Sequence, residues 1–177
     1  MIHERHVTLR KKSCLALISA FVLFSITCLF CTHAEAAIPA AERQALIDLY
    51  NSTTGDSWFD NSGWKTPPLD VDGFAMPGSE LVWYGVTVDT GLQSVTRIDL
   101  EDNNLAGSIP ASIENLSNLY FFFAGGNDLS GGISAEFGNL NNLIYLDLSF
   151  NQLSSIPPEL GNLSSLQELN LILNQLQ

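Results

Sequence analysis

Residues 140–163 read LNNLIYLDLSFNQLSSIPPELGNL. Apolar side chains fall at Leu140, Leu143, Leu146, Leu148, Leu153, Ile156, Leu160 and Leu163, with Asn151 fixed among them. Aligned on that Asn, the pattern also occurs at Leu92, Val95, Ile98, Leu100, Asn103, Leu105, Ile109 and Ile113. It returns at Leu116, Leu119, Phe122, Ala124, Asn127, Leu129, Ile133 and Phe137, and begins again at Leu163, Leu166, Leu169, Leu171, Asn174 and Leu176. The leading leucines, Leu92, Leu116, Leu140 and Leu163, stand 24, 24 and 23 residues apart. In each copy the pairs Ile98-x-Leu100, Phe122-x-Ala124, Leu146-x-Leu148 and Leu169-x-Leu171 alternate with period two, which predicts a short strand with one buried face. One such strand cannot bury that face alone, so successive coils must stack into a parallel sheet over a shared interior. Asn103, Asn127, Asn151 and Asn174 stand where the chain leaves each strand. There a side-chain amide can pair backbone groups that would otherwise be buried without partners, so the four are expected to form a structural ladder.

A period in the range of roughly 20 to 29 residues with L-x-x-L-x-L-x-x-N-x-L is the leucine-rich-repeat signature. Residues 103–110, NNLAGSIP, resemble the plant-type repeat, N-x-L-x-G-x-I-P. The second copy keeps Gly131 and Ile133 but has Ser134 for Pro, and the third, NQLSSIP, lacks one residue and the Gly. The implied fold is an α/β solenoid, a right-handed superhelix with a parallel concave sheet. Its repeats occupy residues 92–177, divided as 92–115, 116–139, 140–162 and a partial 163–177.

The chain opens differently. Arg10, Lys11 and Lys12 precede a stretch, residues 13–34, without Asp, Glu, Lys or Arg, and Ala34-Glu35-Ala36 offers an A-x-A cleavage site. That order predicts a secretory signal peptide over residues 1–36. The apolar run is long enough to span a bilayer, so an uncleaved anchor is the alternative. Both send the remainder outward, to a secreted or cell-surface location; cleavage leaves no membrane insertion. Cys14, Cys28 and Cys31 and all three His lie before residue 37, so the mature chain has no disulfide framework. It keeps three bases, Arg43, Lys65 and Arg97, against 17 acids, a formal charge of −14. Such a surface argues against nucleic acid or anionic lipid as partner.

Residues 37–91 are expected to form an N-terminal cap. A helix is predicted over residues 38–51, with Pro39 in the first turn and an apolar stripe of Ala45, Leu46, Leu49 and Tyr50. The E-R-x-A-L-x-x-L-Y run from Glu42, the D-x-W ending at Trp58, Gly63-Trp64 and the W-x-G-V-x-x-D from Trp83 resemble the cap of plant-type leucine-rich-repeat proteins. That resemblance, cap plus repeats, covers residues 40–177. In the family a disulfide commonly bridges positions near Val82 and Val88, and apolar packing is expected in its place here. Trp58, Trp64 and Trp83 are expected to close the first coil, with service as ligand platforms as the competing role. At the other end the repeat runs to Gln177 with Leu169, Leu171 and Leu176 uncovered, as in a fragment of a longer chain.

Catalysis is not expected. Ser-His-Asp and Cys-His arrangements and zinc sites need residues the mature chain lacks. Gly125-Gly126 and Gly131-Gly132 lack the Gly-Lys-Ser/Thr ending of a phosphate loop and read as turn glycines. Asp70-Val-Asp72-Gly73 is followed by Leu81 where an EF-hand needs its acid. No cofactor or metal is expected.

The concave sheet remains. Residues between the buried strand positions point onto it. Stacking puts Arg97, Phe121, Tyr145 and Glu168 in one column and Asp99, Phe123, Asp147 and Asn170 in the next. Tyr120 lies at the margin, and Phe150 extends the third coil's row. Arg97, Asp99, Phe121, Phe123, Tyr145, Asp147 and Phe150 are therefore the candidate ligand-binding residues, an aromatic cluster with a charged rim. Rings that pack on one another merely to stiffen the sheet are the competing reading. The resemblance implies an exported, non-catalytic module binding protein, peptide or glycan on this face. The alternative is an ectodomain fragment of a receptor-like kinase or other larger membrane protein. Asn-x-Ser/Thr sequons occur at Asn51, Asn115 and Asn162.

Overall fold

The computed structural model describes residues 38–177 except Leu92. The leader expected over residues 1–36 and the first repeat's leading Leu92 lie outside the described residues.

Helix α1 (Ala40–Ser52) opens the cap, with Pro39 as its N-cap rather than inside its first turn. Strands β1 (Val86–Val88) and β2 (Val95–Asp99) follow. Each coil then alternates a concave strand with a short outer strand and a 3₁₀ turn. β3 (Ala106–Gly107) leads to the turn Ala111–Asn115 and on to β4 (Phe121–Phe123). β5 (Asp128–Gly132) leads to the turn Ala135–Asn139 and β6 (Tyr145–Asp147). β7 (Gln152–Ser155) leads to the turn Pro158–Asn162 and β8 (Glu168–Asn170).

The concave sheet has the order β1-β2-β4-β6-β8. β2, β4, β6 and β8 are parallel, but β1 runs antiparallel to β2. The cap thus adds its own strand to the edge of the sheet, so the backbone groups of β2 are paired on both sides. Period-two alternation marks buried faces, not strand direction, and so did not distinguish β1. A second sheet, β3-β5-β7, joins the same coils a second time. Its strands are too short and Gly-rich to alternate visibly. Gly131 and Gly132 lie in β5 rather than in a turn. The register of β5 against β7 shifts between Gly131 and Gly132, where the third repeat is one residue short. Ile156, just beyond, is 46% exposed, whereas its counterparts Ile109 and Ile133 are buried.

The interior is continuous from cap to repeats. Leu100, Leu105, Leu116, Leu119, Phe122, Leu140, Leu143 and Leu148 are fully buried, and each 3₁₀ turn inserts one apolar side chain: Ile113, Phe137 or Leu160. A fully buried side chain of this size stabilises by about 1.5–3 kcal/mol. In the last strand Leu169 is 41% exposed.

The ladder asparagines bind backward, coil to coil. Asn127 Oδ1 accepts from the N–H groups of Asn103 (3.0 Å) and Leu105 (2.9 Å), and its Nδ2 donates to Leu100 O (2.8 Å). Asn151 accepts from Leu129 N–H and donates to Ala124 O, each at 2.9 Å. Asn174 repeats this with Leu153 N–H and Leu148 O, each at 2.9 Å. Asn103 has no preceding repeat and grips the cap instead, donating to Asp60 O at 2.9 Å and accepting from Asp60 N–H at 2.7 Å.

Trp58, Trp64 and Trp83 are buried. Trp64 lies 5.3 Å from Trp58 and 4.6 Å from Trp83, ring centre to ring centre. Their indole N–H groups donate to Thr53 O, Tyr84 O and Ser79 Oγ. They are core, not platforms. Beside them runs a polar lock that the sequence reading missed. Buried Arg43 donates to Glu80 Oε1 (2.5 Å), Asp72 Oδ2 (3.0 Å) and Ala75 O (2.7 Å), with its guanidinium 5.1 Å from the Trp83 ring centre. Apolar packing does not replace the family's disulfide as expected: Val88 is partly buried against the core, but Val82 is 62% exposed. Arg43 and the Trp stack hold this region instead.

Candidate functional site

The registers place the concave side chains directly. Arg97 pairs with Phe121, Phe121 with Tyr145 and Tyr145 with Glu168; Asp99, Phe123, Asp147 and Asn170 form the adjoining column. In β4 the middle residue, Phe122, is fully buried, which turns Phe121 and Phe123 outward together. Their rings are nearly parallel, 9° apart in plane with centres 6.2 Å apart. Tyr145 completes the cluster at 5.8 Å from Phe121 and 6.4 Å from Phe123. Tyr120 touches it at 6.5 Å from Phe121. All three central rings are half-buried, so they support one another and still present surface.

Charge frames the rings. The Arg97 guanidinium lies 4.4 Å from the Phe123 centre and 5.8 Å from that of Phe121, a cation over aromatic faces. It also pairs with Asp99 Oδ2 at 2.5 Å. Asp147 is held in place: Oδ1 accepts from Ser149 N–H (2.9 Å) and Oγ–H (2.6 Å), and Oδ2 from Asn170 Nδ2 (2.8 Å). Among the described residues the exposed Glu168 carboxylate has no hydrogen-bond or ion-pair partner. The rings, Arg97, Asp147, Glu168 and Asn170 line a depression of about 240 Å³.

Phe150 is not part of this cluster. β6 ends at Asp147, and Phe150 takes a left-handed backbone (φ 52°) and is 55% exposed. The alternation that assigned it to the row does not continue past the strand. It borders a separate depression of about 370 Å³ with Glu101, Asp102, Gly125, Gly126 and Ser149. Burial, and then the nearby Asp99, Asp147 and Asp102 carboxylates, push the Glu101 pKa up. Gly126 has φ 69°, and a Cβ there would overlap Asp102 Oδ1. Among the described residues no group of three or more His, Cys, Asp or Glu is placed to hold a metal ion.

Comparison with known proteins agrees with this architecture. The Leucine Rich Repeat family model matches residues 94–116 and 142–163. It leaves out the second repeat, whose strand carries Phe121-Phe122-Phe123. No curated protein sequence matches the chain. Among solved structures, PEPR1–AtPEP1 superimposes with a TM-score of 0.62 at 25% identity, covering 78% of this chain and 18% of that one. The BIR3–SERK2 complex from Arabidopsis thaliana matches at TM-score 0.62 and 29% identity, over 75% of this chain and 68% of that one. The leucine-rich-repeat ectodomain of the receptor kinase SOBIR1, also from Arabidopsis thaliana, matches at 0.62 and 23% identity, over 79% and 70% of the two chains, a likeness of fold alone. This chain therefore spans less than a fifth of the PEPR1 chain. Repeat period, paired sheets, asparagine ladder and family model agree that the chain carries leucine-rich repeats wound into a leucine-rich-repeat solenoid, similar in fold to these plant proteins.

Proposed function

We propose that the chain is an exported, non-catalytic module that binds a peptide or protein segment on its concave face. The observation that carries the reading is the half-buried trio of Phe121, Phe123 and Tyr145 at the centre of that face, ringed by Arg97, Asp99, Asp147 and Glu168. Aromatic anchors in a polar rim are the usual carriers of binding energy, because large rigid surfaces desolvate at low entropic cost. Its similarity to PEPR1 in PEPR1–AtPEP1, and to the BIR3–SERK2 complex, supports a partner of this kind. A glycan would use the same rings and the Asp and Asn side chains beside them. The basic, apolar, small-residue order of residues 1–36 supports export. Among the described residues no helix is long and apolar enough to cross a membrane.

The second reading is an ectodomain of a longer receptor-like kinase; the chain spans 18% of the PEPR1 chain it matches. Reading the coding sequence beyond Gln177 separates the two: a stop codon supports the free module, and an apolar span followed by a kinase signature supports the receptor. Selection of short random peptides on the full chain, repeated with a Phe121→Ser/Phe123→Ser variant that keeps its circular dichroism spectrum, tests the binding role. Enrichment on the native chain and its loss on the variant is the expected result. Equal enrichment on both removes the concave face from the argument.

A further inference from the structure

We infer that the segment received by this face is cationic, and that a lysine or arginine of the partner lies across Tyr145 with its charge against Glu168. The inference rests on the concave-face reading above and narrows it.

The argument starts from Arg97. It is the single base in residues 93–177. It lies over the rings of β4 with its charge on the Asp99 carboxylate, which makes a cation, an aromatic floor and an acid in one stack. The parallel register repeats that stack farther along the sheet. Phe121 is followed in its column by Tyr145 and then by Glu168, with Asp147 and Asn170 beside them. The floor and the acids recur, but the base does not. Among the described residues the Glu168 carboxylate is left without a partner, bordering a depression floored by Phe121, Phe123 and Tyr145. The chain's own Arg97 thus shows, one step away, how a guanidinium or ammonium sits on this surface.

The surrounding field has the matching sign. Asp99, Glu101, Asp102, Asp147 and Glu168 stand against Arg97 alone along the inner strands and their ends. The Glu101 pKa is pushed up first by its burial and then by Asp99, Asp147 and Asp102, and the second part reports the same crowding of negative charge. An acidic cleft with low-dielectric walls raises the local concentration of a cationic partner and its rate of encounter. An anionic segment would meet five carboxylates and one base that is already paired.

The test uses the full chain and three fluorescein-labelled peptides of equal length built from Lys-Gly, Ser-Gly or Glu-Gly repeats, read by fluorescence anisotropy at physiological salt. The Lys-Gly peptide is expected to bind about tenfold or more tighter than the Ser-Gly peptide, the Glu-Gly peptide weakest. Glu168→Gln should weaken the Lys-Gly complex about fivefold. Arg97→Gln should tighten it about threefold by removing a like charge, whereas a structural or anion-binding Arg97 predicts the opposite sign. Glu136→Gln and Glu159→Gln, in the 3₁₀ turns, should leave it within about twofold, since a screened charge off the face adds little.

Preference for Ser-Gly or Glu-Gly, failure of Lys-Gly to saturate by about 1 mM, weakening by Arg97→Gln, or equal losses from Glu136→Gln and Glu168→Gln each overturn the inference. If peptides selected on the native chain still need Phe121 and Phe123, the concave binding role survives and only the cationic partner is lost. If no peptide distinguishes native chain from Phe121→Ser/Phe123→Ser, the binding role falls as well.

Discussion

Replacing Asn127 by Ala removes a side chain and strands backbone groups of the preceding coil. The N–H groups of Asn103 and Leu105 lose the Oδ1 they share, and Leu100 O loses its donor. Asn127 is 8% exposed, so water cannot easily take its place. Each buried polar group left unpaired costs about 1–3 kcal/mol. Three such groups, partly relieved by relaxation, put Asn127→Ala at about 3–6 kcal/mol, a large share of the about 5–15 kcal/mol that stabilises a typical domain. Asn174 supplies the internal control. It makes the corresponding bonds to Leu153 N–H and Leu148 O, but it is half-exposed and water can substitute. Its Ala variant should lose less than about 1.5 kcal/mol. Urea titration followed by far-UV circular dichroism, with the cap tryptophans as a second probe, measures both. Non-coincident transitions would mark uncoupling of cap from repeats rather than simple destabilisation. If Asn127→Ala loses no more than Asn174→Ala, the ladder does not satisfy buried backbone groups and the argument for it is refuted.

Three further outcomes follow from the cap and the strand ends. Arg43→Ala leaves the Glu80 carboxylate, 2% exposed, without its base; the cap should lose about 3–5 kcal/mol, with Trp fluorescence changing before the repeat signal in denaturant. Burial pushes the Glu42 pKa up, opposed by the hydrogen bond from Val95 N–H, so between the unfolded and folded pKa values the native state holds more protons and stability falls as pH rises. Stability measured from about pH 4 to 7 should carry that decline, and Glu42→Gln should flatten it; an unchanged slope would show that Glu42 is not its source. Gly126→Ala should cost about 1–3 kcal/mol because the site needs φ 69° and the new Cβ meets Asp102 Oδ1. Adding Asp102→Gly should recover the steric part, and a double-mutant cycle with no coupling would refute the clash.

The repeats were legible because their physics is local and recurs in phase. Alternation in β4 and β6 is by itself enough to place Phe121, Phe123 and Tyr145 side by side, as their register has them. Phe150 was misplaced because a sequence pattern does not mark where a strand stops, and its left-handed backbone takes it out of the row. The antiparallel β1 and the outer sheet went unseen for a related reason: pairing direction and short Gly-containing strands leave no periodic trace. The Arg43 lock left a faint one. Arg43, Leu46 and Tyr50 share a helix face at three- and four-residue spacing, so a base stands on the buried stripe. Its partners Asp72 and Glu80 are far along the chain, and nothing in the sequence joins them.

Every interior coil is sewn to the next along two seams, β2-β4-β6-β8 and β3-β5-β7. A hinge needs a line about which one half can swing, and a second seam at a different place on the coil removes that freedom. If the proposed binding role holds, the incoming segment meets a surface already in its final form, with little ordering left to oppose docking. Free and occupied chains should superimpose closely, and selectivity must come from fit and sign of charge rather than from closure around the guest.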